Sequence, residues 1–425
     1  MDSRVRGNDE GLARNFYAEH PHSMTLLNTD FTAAAAAEFE QTIALRRAIH
    51  ADPEIGLHCT RTTAKLKAAL EGLPVEIRDS KSTSGFVAIL RGTQPGRTVL
   101  LRGDMDALPI QEETGLPFAS AIEGAMHACG HDTHSAMLAS AARILCAQQA
   151  SLAGTIVFMF QPGEEGFHGA RFMMEDGLLD DPRPDAAFAL HILPTITGGL
   201  VTSRPGALLA STDSLNATIR GKGGHAAMPY DAIDPVPVAC EAVMATQAFV
   251  ARRTPFFDPA ILSVTSIHAG TAYNIIPDAV ELKGTLRTLS DERRVQGKAA
   301  FQRIVGQVAA AHECEAEVRI DEGYPTTRND ARAVALVESI ATDLFGAEAY
   351  QQMPTPIMGG EDFAYVLREI PGAMAFVGVA PPEEAAPGQR APLHNGKMTV
   401  HEEWLHRGVA MHCAFATRFL ARGFD

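Results

Sequence analysis

Between residues 86 and 190 short apolar runs alternate with a long helical stretch, and this alternation limits the fold more than any other feature. Residues 86–90, 98–101, 155–160 and 186–190 are apolar on consecutive positions save for the leading Thr98 and Thr155. Such runs bury both faces of a strand, as in sheets covered by helices on either side. Residues 135–148 read as a strong helix between them. The expected fold class is α/β, with a largely parallel or mixed sheet.

Polar residues gather where these runs stop. Asp104 and Asp106 follow the run ending at Leu101, Glu164 and Glu165 the run ending at Phe160, and His191 follows Leu190. In open α/β sheets, ligands bind beyond the carboxyl ends of the strands. The turn Met126-His127-Ala128-Cys129-Gly130-His131-Asp132 adds a Cys and a His two residues apart. Thiolate and imidazole suit zinc and its neighbours.

The pattern changes near Ser211. Residues 215–220 alternate apolar and polar, Gly221-Lys222-Gly223-Gly224 is a turn, and Asp234-Pro235 opens a helix over 236–252. Strands follow at 261–268 and 279–286, a helix from Asp291 to about Ala311, and a strand at 315–320. The order βαββαβ is ferredoxin-like. We expect residues 212–324 to be a domain inserted into a larger one made of 29–211 and 325–425. In the larger domain, 34–50 and 331–345 read as helices, 373–379 as a strand and 401–422 as a final amphipathic helix. Residues 1–28 are polar, mixed in charge and without an apolar core. They read as a disordered extension rather than a secretory signal, with Met24 a more ordinary-looking start.

Composition excludes several classes. A net charge of −15 argues against nucleic acid and against a polybasic membrane anchor. No apolar run approaches the roughly 18 residues of a membrane span. Six cysteines at no framework spacing fit a reducing compartment, so a cytoplasmic location is expected.

Taken singly, the polar residues are ambiguous. Cys129 reads equally as an inert buried thiol, His191 as a core histidine, and Glu164-Glu165 as a solvated helix start. Gly221–Gly224 lacks the Lys-Ser/Thr ending of a phosphate loop. His127 and His134 read as structural. His50 reads as a helix-end histidine favoured by the dipole. Cys59, Cys146, Cys240, Cys314 and Cys413 carry no assigned role.

Taken together and in order, they resemble a known family. The carrying segments are Gly103-Asp104-Met105-Asp106-Ala107-Leu108-Pro109, His127-Ala128-Cys129-Gly130-His131-Asp132 and Gln161-Pro162-Gly163-Glu164-Glu165. Further on come Ala189-Leu190-His191, Gly223-Gly224-His225-Ala226-Ala227 and Asn274-Ile275-Ile276-Pro277. The last are Gly359-Gly360-Glu361-Asp362-Phe363 and Leu393-His394-Asn395. The chain resembles the M20 metallopeptidases, in the branch of aminoacylases, hippurate hydrolases and IAA-amino acid hydrolases. That resemblance implies a zinc-exopeptidase-like catalytic domain with a ferredoxin-like lid and dimerisation domain.

It also implies five metal ligands, Cys129, His131, Glu165, His191 and His394. One catalytic zinc keeps three protein ligands and an open position, so five suit two divalent ions, whether zinc, manganese, cobalt or nickel. By position Cys129 is the shared ligand, with His131 and His191 on one ion and Glu165 and His394 on the other. Many relatives carry His where Asp104 stands, and here His131 is expected to supply that imidazole. Glu164 is implied as general base, and Asp106 as the partner orienting an imidazole. His225 is implied as an oxyanion stabiliser, often lent by the partner of a homodimer. Asn274 and Arg287 match positions that hold a substrate carboxylate. Glu361 is either an acid beside the ligands or simply part of the pocket wall.

The expected function is metal-dependent hydrolysis of the amide of small N-acyl amino acids, with a dipeptidase or carboxypeptidase as the alternative in the same chemistry. A zinc nucleobase deaminase needs H-x-E and P-C-x-x-C, and neither occurs. A non-catalytic metal-binding relative would be expected to have lost Glu164.

Overall fold

The computed structural model describes residues 30–385 and 388–425. The extension expected over residues 1–28 lies outside the described residues. The larger sheet has eight strands. In spatial order they are Glu76–Asp79, Phe86–Arg91, Ala153–Gln161, Gln94–Asp104, Ala186–Thr197, Gly372–Ala380, Val201–Ser203 and Tyr350–Gln352. The four middle strands, from Ala153–Gln161 to Gly372–Ala380, are mutually parallel, and the flanks mix directions. The sheet is therefore mixed, as expected.

Side chains alternate across a strand, and both faces of this sheet are buried. From Phe86–Arg91, Phe86, Ala88 and Leu90 join one core and Val87 and Ile89 the other. The first core packs under the helices His131–Cys146, Leu405–Arg422 and Ala331–Phe345. The second lies under the short helices Gly169–Glu175 and Ala364–Glu369. Truncating a fully buried side chain such as Leu100 to Ala costs about 2–5 kcal/mol.

A second sheet takes the strands Ala260–Ala269, Ala279–Thr288, Ser211–Arg220 and Glu315–Glu322 in that spatial order, all antiparallel. Helices Pro235–Arg253 and Asp291–Ala311 cover one face, and Leu215, Ala217 and Ile219 point into their shared core. The connectivity is ferredoxin-like. Asp234 and Ser290 cap the two helices, accepting from the backbone N–H of Val236 and Arg293. The chain enters the second sheet near Thr212 and has left it at Tyr324, and these two crossings are bonded to each other. Thr212 N–H donates to the Tyr324 carbonyl at 2.9 Å, and Tyr324 N–H to Thr212 Oγ1 at 2.8 Å.

Three local expectations change. His191 does not follow its strand but lies inside it, because pairing with Gly372–Ala380 continues past His191 to Thr197. Asp104 is the last residue of its strand rather than the start of a loop. The helix expected over 34–50 is two, Phe31–Ala37 and Phe39–His50, broken at Glu38. The Glu38 carbonyl accepts from both the N–H and the hydroxyl of Thr42, a back-bond that bends helices.

Candidate metal centre and active site

Three backbone devices assemble the site. Gly130 has φ of 91°, and a Cβ there would lie 2.5 Å from Ile192 Cγ1, so only glycine fits. This turn presents Cys129 and starts the helix that carries His131, directly against the strand bearing His191. His394 adopts φ of 62°, a costly conformation for a residue with a Cβ. Its N–H donates to the Ala128 carbonyl at 2.8 Å, which ties its loop to the Cys129 turn. Asp106 accepts the backbone N–H of Glu164 and of Glu165, both at 3.0 Å, and so fixes the turn that aims these two carboxyls.

The ligand atoms of Cys129, His131 and His191 lie within 4.8 Å of one another, and so do those of Cys129, Glu165 and His394. Cys129 belongs to both groups. Its Sγ is 3.3 Å from His191 Nε2, and Glu165 Oε1 is 3.2 Å from His394 Nε2. His131 Nδ1 and Nε2 and Glu165 Oε1 are buried and make no well-formed hydrogen bond among the described residues. Buried polar atoms are otherwise nearly always bonded. Orphaned imidazole and carboxylate atoms around a shared thiol are a donor set that fits a pair of divalent ions.

Their electrostatics point the same way. Burial pushes the Cys129 thiol up, against the pull of His131. Burial disfavours a charged His131, yet Asp104 and Cys129 hold it well above the usual imidazole value. Cys129 and Glu165 raise His394 to about 10. His191, by contrast, is pushed well below by burial, with His134 adding to the effect. Protons held among thiol, imidazole and carboxylate are the ones a cation displaces on binding.

A salt-bridged floor lies beneath. Arg102, fully buried, pairs with Asp104, with Glu361 Oε1 at 2.9 Å and with Asp362 Oδ1 at 3.2 Å. His134 Nε2 accepts from Ile192 N–H at 2.9 Å, so its Nδ1–H donates to Asp104 at 2.6 Å. Both ring nitrogens of His134 are thus engaged in hydrogen bonds. Glu164 is raised well above the carboxylate range by burial and by the nearby Glu361, Glu165 and Asp362. His50 is more than a helix-end histidine. It sits between Asp132 (2.9 Å) and Glu112 (3.3 Å) in a buried ion pair.

A cavity of about 700 Å³ opens above, lined on one side by Cys129, Glu164, Glu165, His191 and His394. Thr212, Arg287 and Tyr324 from the second sheet and its crossings also line it, with the apolar residues Leu193, Leu209, Ile357, Met374 and Phe376. Arg287 is half-buried and burial lowers its pKa against the pull of Asp213. His225 and Asn274 are not brought to this cavity. They lie side by side on an exposed ribbon, Gly224–His225 paired with Ile275–Ile276, and Ala226 N–H donates to the Asn274 carbonyl.

The sequence reading missed Arg102 and Tyr324. Nothing in the local pattern marks them, since Arg102 sits inside an apolar strand and Tyr324 in a connecting segment.

Related proteins match this chain over most of their length. IAA-amino acid hydrolase ILR1-like 4 of Arabidopsis thaliana is 36% identical over 386 residues, covering 90% of this chain and 86% of that protein. N-acetyl-L-cysteine deacetylase of Bacillus subtilis is 41% identical over 339 residues, 80% of each chain. A crystal structure from Bacillus subtilis, described as a dinuclear metal-binding peptidase of family M20, superposes with a TM-score of 0.77 at 33% identity. It covers 91% of this chain and 99% of its own. Residues 100–418 match the profile of peptidase family M20/M25/M40, and the chain belongs to that family.

Proposed function

We propose that this chain is a two-metal amidohydrolase that cleaves N-acyl amino acids into a carboxylic acid and a free amino acid. The observation that carries the reading is Cys129, common to both ligand groups and lining one cavity together with Arg287. Cys129, His131 and His191 would hold one ion and Cys129, Glu165 and His394 the other. Divalent ions held there would acidify a water and polarise the amide carbonyl. Glu164 takes the proton from the attacking water and returns it to the leaving nitrogen. A carboxyl raised by burial and like charge suits that alternation. Arg287 offers its fork to the substrate's free carboxylate. The apolar wall takes the acyl group. The reducing interior such a thiol needs supports a cytoplasmic setting, and among the described residues no helix is long and apolar enough to cross a membrane.

Residues 212–324 serve in this reading as lid and homodimer interface. Phe256, Phe257 and Tyr273 are almost wholly exposed, beside the edge strand Ala260–Ala269. An open sheet edge with apolar neighbours favours pairing with another copy. His225 and Asn274, remote from their own cavity, would then serve the partner's, with His225 on the developing oxyanion.

The test is hydrolysis by protein reconstituted with zinc, manganese, cobalt or nickel. Benzoylglycine, N-acetyl amino acids, indole-acyl conjugates and dipeptides form the panel. Turnover of acyl amino acids is expected. Cleavage confined to dipeptides replaces the reading with a peptidase, and inactivity on all four classes removes it. Sedimentation of the same protein as a monomer would sink the dimer.

A further inference from the structure

We propose that Tyr324 is a positioning residue coupling the hinge of the second sheet to the Glu164 turn. The inference rests on Glu164 being the proton carrier proposed above. Tyr324 stands two residues beyond the strand Glu315–Glu322, where the chain leaves the second sheet. Its phenol hydroxyl donates to the Glu164 carbonyl and accepts from Gly166 N–H at 2.6 Å. The ring is 6% exposed and meets the His168 ring edge-on at 5.0 Å. Burial pushes the phenol upward, so its proton stays in place across the neutral range.

The peptide of residues 164–166 is therefore gripped from two bodies. Asp106 holds its N–H groups from the large sheet, and Tyr324 holds its carbonyl side from the hinge. The hinge is itself stiff. Arg294 forks Asp213 at 2.8 and 2.9 Å and donates to the Gly323 carbonyl at 3.0 Å, while Thr212 and Tyr324 bond each other's backbones. Any rotation of the second sheet about these crossings carries the Tyr324 hydroxyl with it. The Glu164 turn then either follows or loses both bonds, so the aim of its carboxyl depends on where the hinge stands. Closure over substrate is thereby linked to orientation of the proton carrier.

Tyr324→Phe keeps the ring and removes only the hydroxyl. In the metal-loaded protein, assayed with benzoylglycine or the fastest N-acetyl amino acid, kcat is expected to fall about tenfold with KM little changed. Metal content and melting temperature should stay near those of the parent. A purely structural role would not split kcat from KM in this way. The coupling is read by a double-mutant cycle with Arg294→Lys, which loosens the hinge. Arg294→Lys is expected to slow the parent but to add little to Tyr324→Phe. Additive losses overturn the coupling, and so does a change confined to KM. Parental kcat in Tyr324→Phe, in a protein that Glu164→Gln inactivates, overturns this inference and leaves the role of Glu164 standing. Near-parental turnover in Glu164→Gln overturns both.

Discussion

Cys129 Sγ lies 3.3 Å from His191 Nε2, although the two residues are 62 positions apart. The contact exists because Ile192, the neighbour of His191, packs into the space that the missing Cβ of Gly130 leaves open. The same sulfur is within reach of Glu165 and His394. One atom thus joins both halves of the site.

Cys129→Ala should consequently release both ions rather than one. Loss of a partner outside the ligand shell already costs roughly 10–100-fold in affinity, and loss of a shared ligand should exceed that. Elemental analysis after gel filtration is the measurement. Unchanged stoichiometry would take Cys129 out of the centre. Oxidation of this thiol by peroxide should have the same effect, and dithiothreitol should reverse its early stage.

Glu164→Gln separates proton transfer from metal holding. The variant keeps the shape of the side chain and the Asp106 clamp on its N–H. Bound metal should stay near the parental level while kcat falls on the order of 10²–10⁴-fold. Near-parental turnover would assign the proton to another group, with Glu361, whose carboxyl lies within 4.8 Å of that of Glu164, a candidate on the cavity wall.

Much of this arrangement is legible in the sequence, for a physical reason. Strands buried on both faces write themselves as unbroken apolar runs, and the polar residues at their ends then stand out. Glu164, Glu165 and His191 are visible that way, Cys129, His131 and His394 through their motifs, and the structure brings the six together. Edge strands such as Glu76–Asp79 and Tyr350–Gln352 are not, because exposure on one side removes the apolar signal. Arg102 is invisible because its meaning lies in Asp104, Glu361 and Asp362, the last two some 260 residues away. The placement of His225 and Asn274 outside the cavity is not readable either. Short motifs report which residues a ribbon carries, not which way the ribbon faces.

Gly130 gives a stability prediction independent of chemistry. Alanine there must hold a left-handed φ and meet Ile192 at 2.5 Å. A strained position of this kind costs about 1–3 kcal/mol before any clash. Gly130→Ala should lower the urea midpoint of the metal-free protein and weaken metal retention as well. A midpoint equal to the parent's would mean that the turn relaxes freely, contrary to the packing seen.

His50 supplies a pH dependence. Burial disfavours its charged form, but Asp132 and Glu112 overcome this and raise its pKa to about 9 from 6.5, with Arg46 opposing. A raised imidazole stabilises the fold fully below pH 6.5 and loses that contribution as pH climbs through about 9. The melting temperature should therefore fall across that interval. In His50→Gln the fall should be shallower. An identical slope in the two proteins would assign the alkaline loss to other groups.

Arg287 decides how substrate is held. It is half-buried on the wall of the cavity that Glu164 and Cys129 also line, and its guanidinium forms no ion pair within 4.0 Å among the described residues. A half-buried cation has lost part of its hydration, and a substrate carboxylate would offset that loss. Removing the fork should weaken ground state and transition state alike. Arg287→Ala is then expected to raise KM for benzoylglycine about 10–100-fold with a smaller change in kcat. Lysine places a point charge where two parallel bonds are needed, so Arg287→Lys should recover only part of the loss. The control is benzoylglycinamide, which lacks the free carboxylate. It should be a poor substrate for the parent and should respond little to either substitution. Equal losses on the acid and on its amide would show that Arg287 shapes the cavity instead of reading the carboxylate.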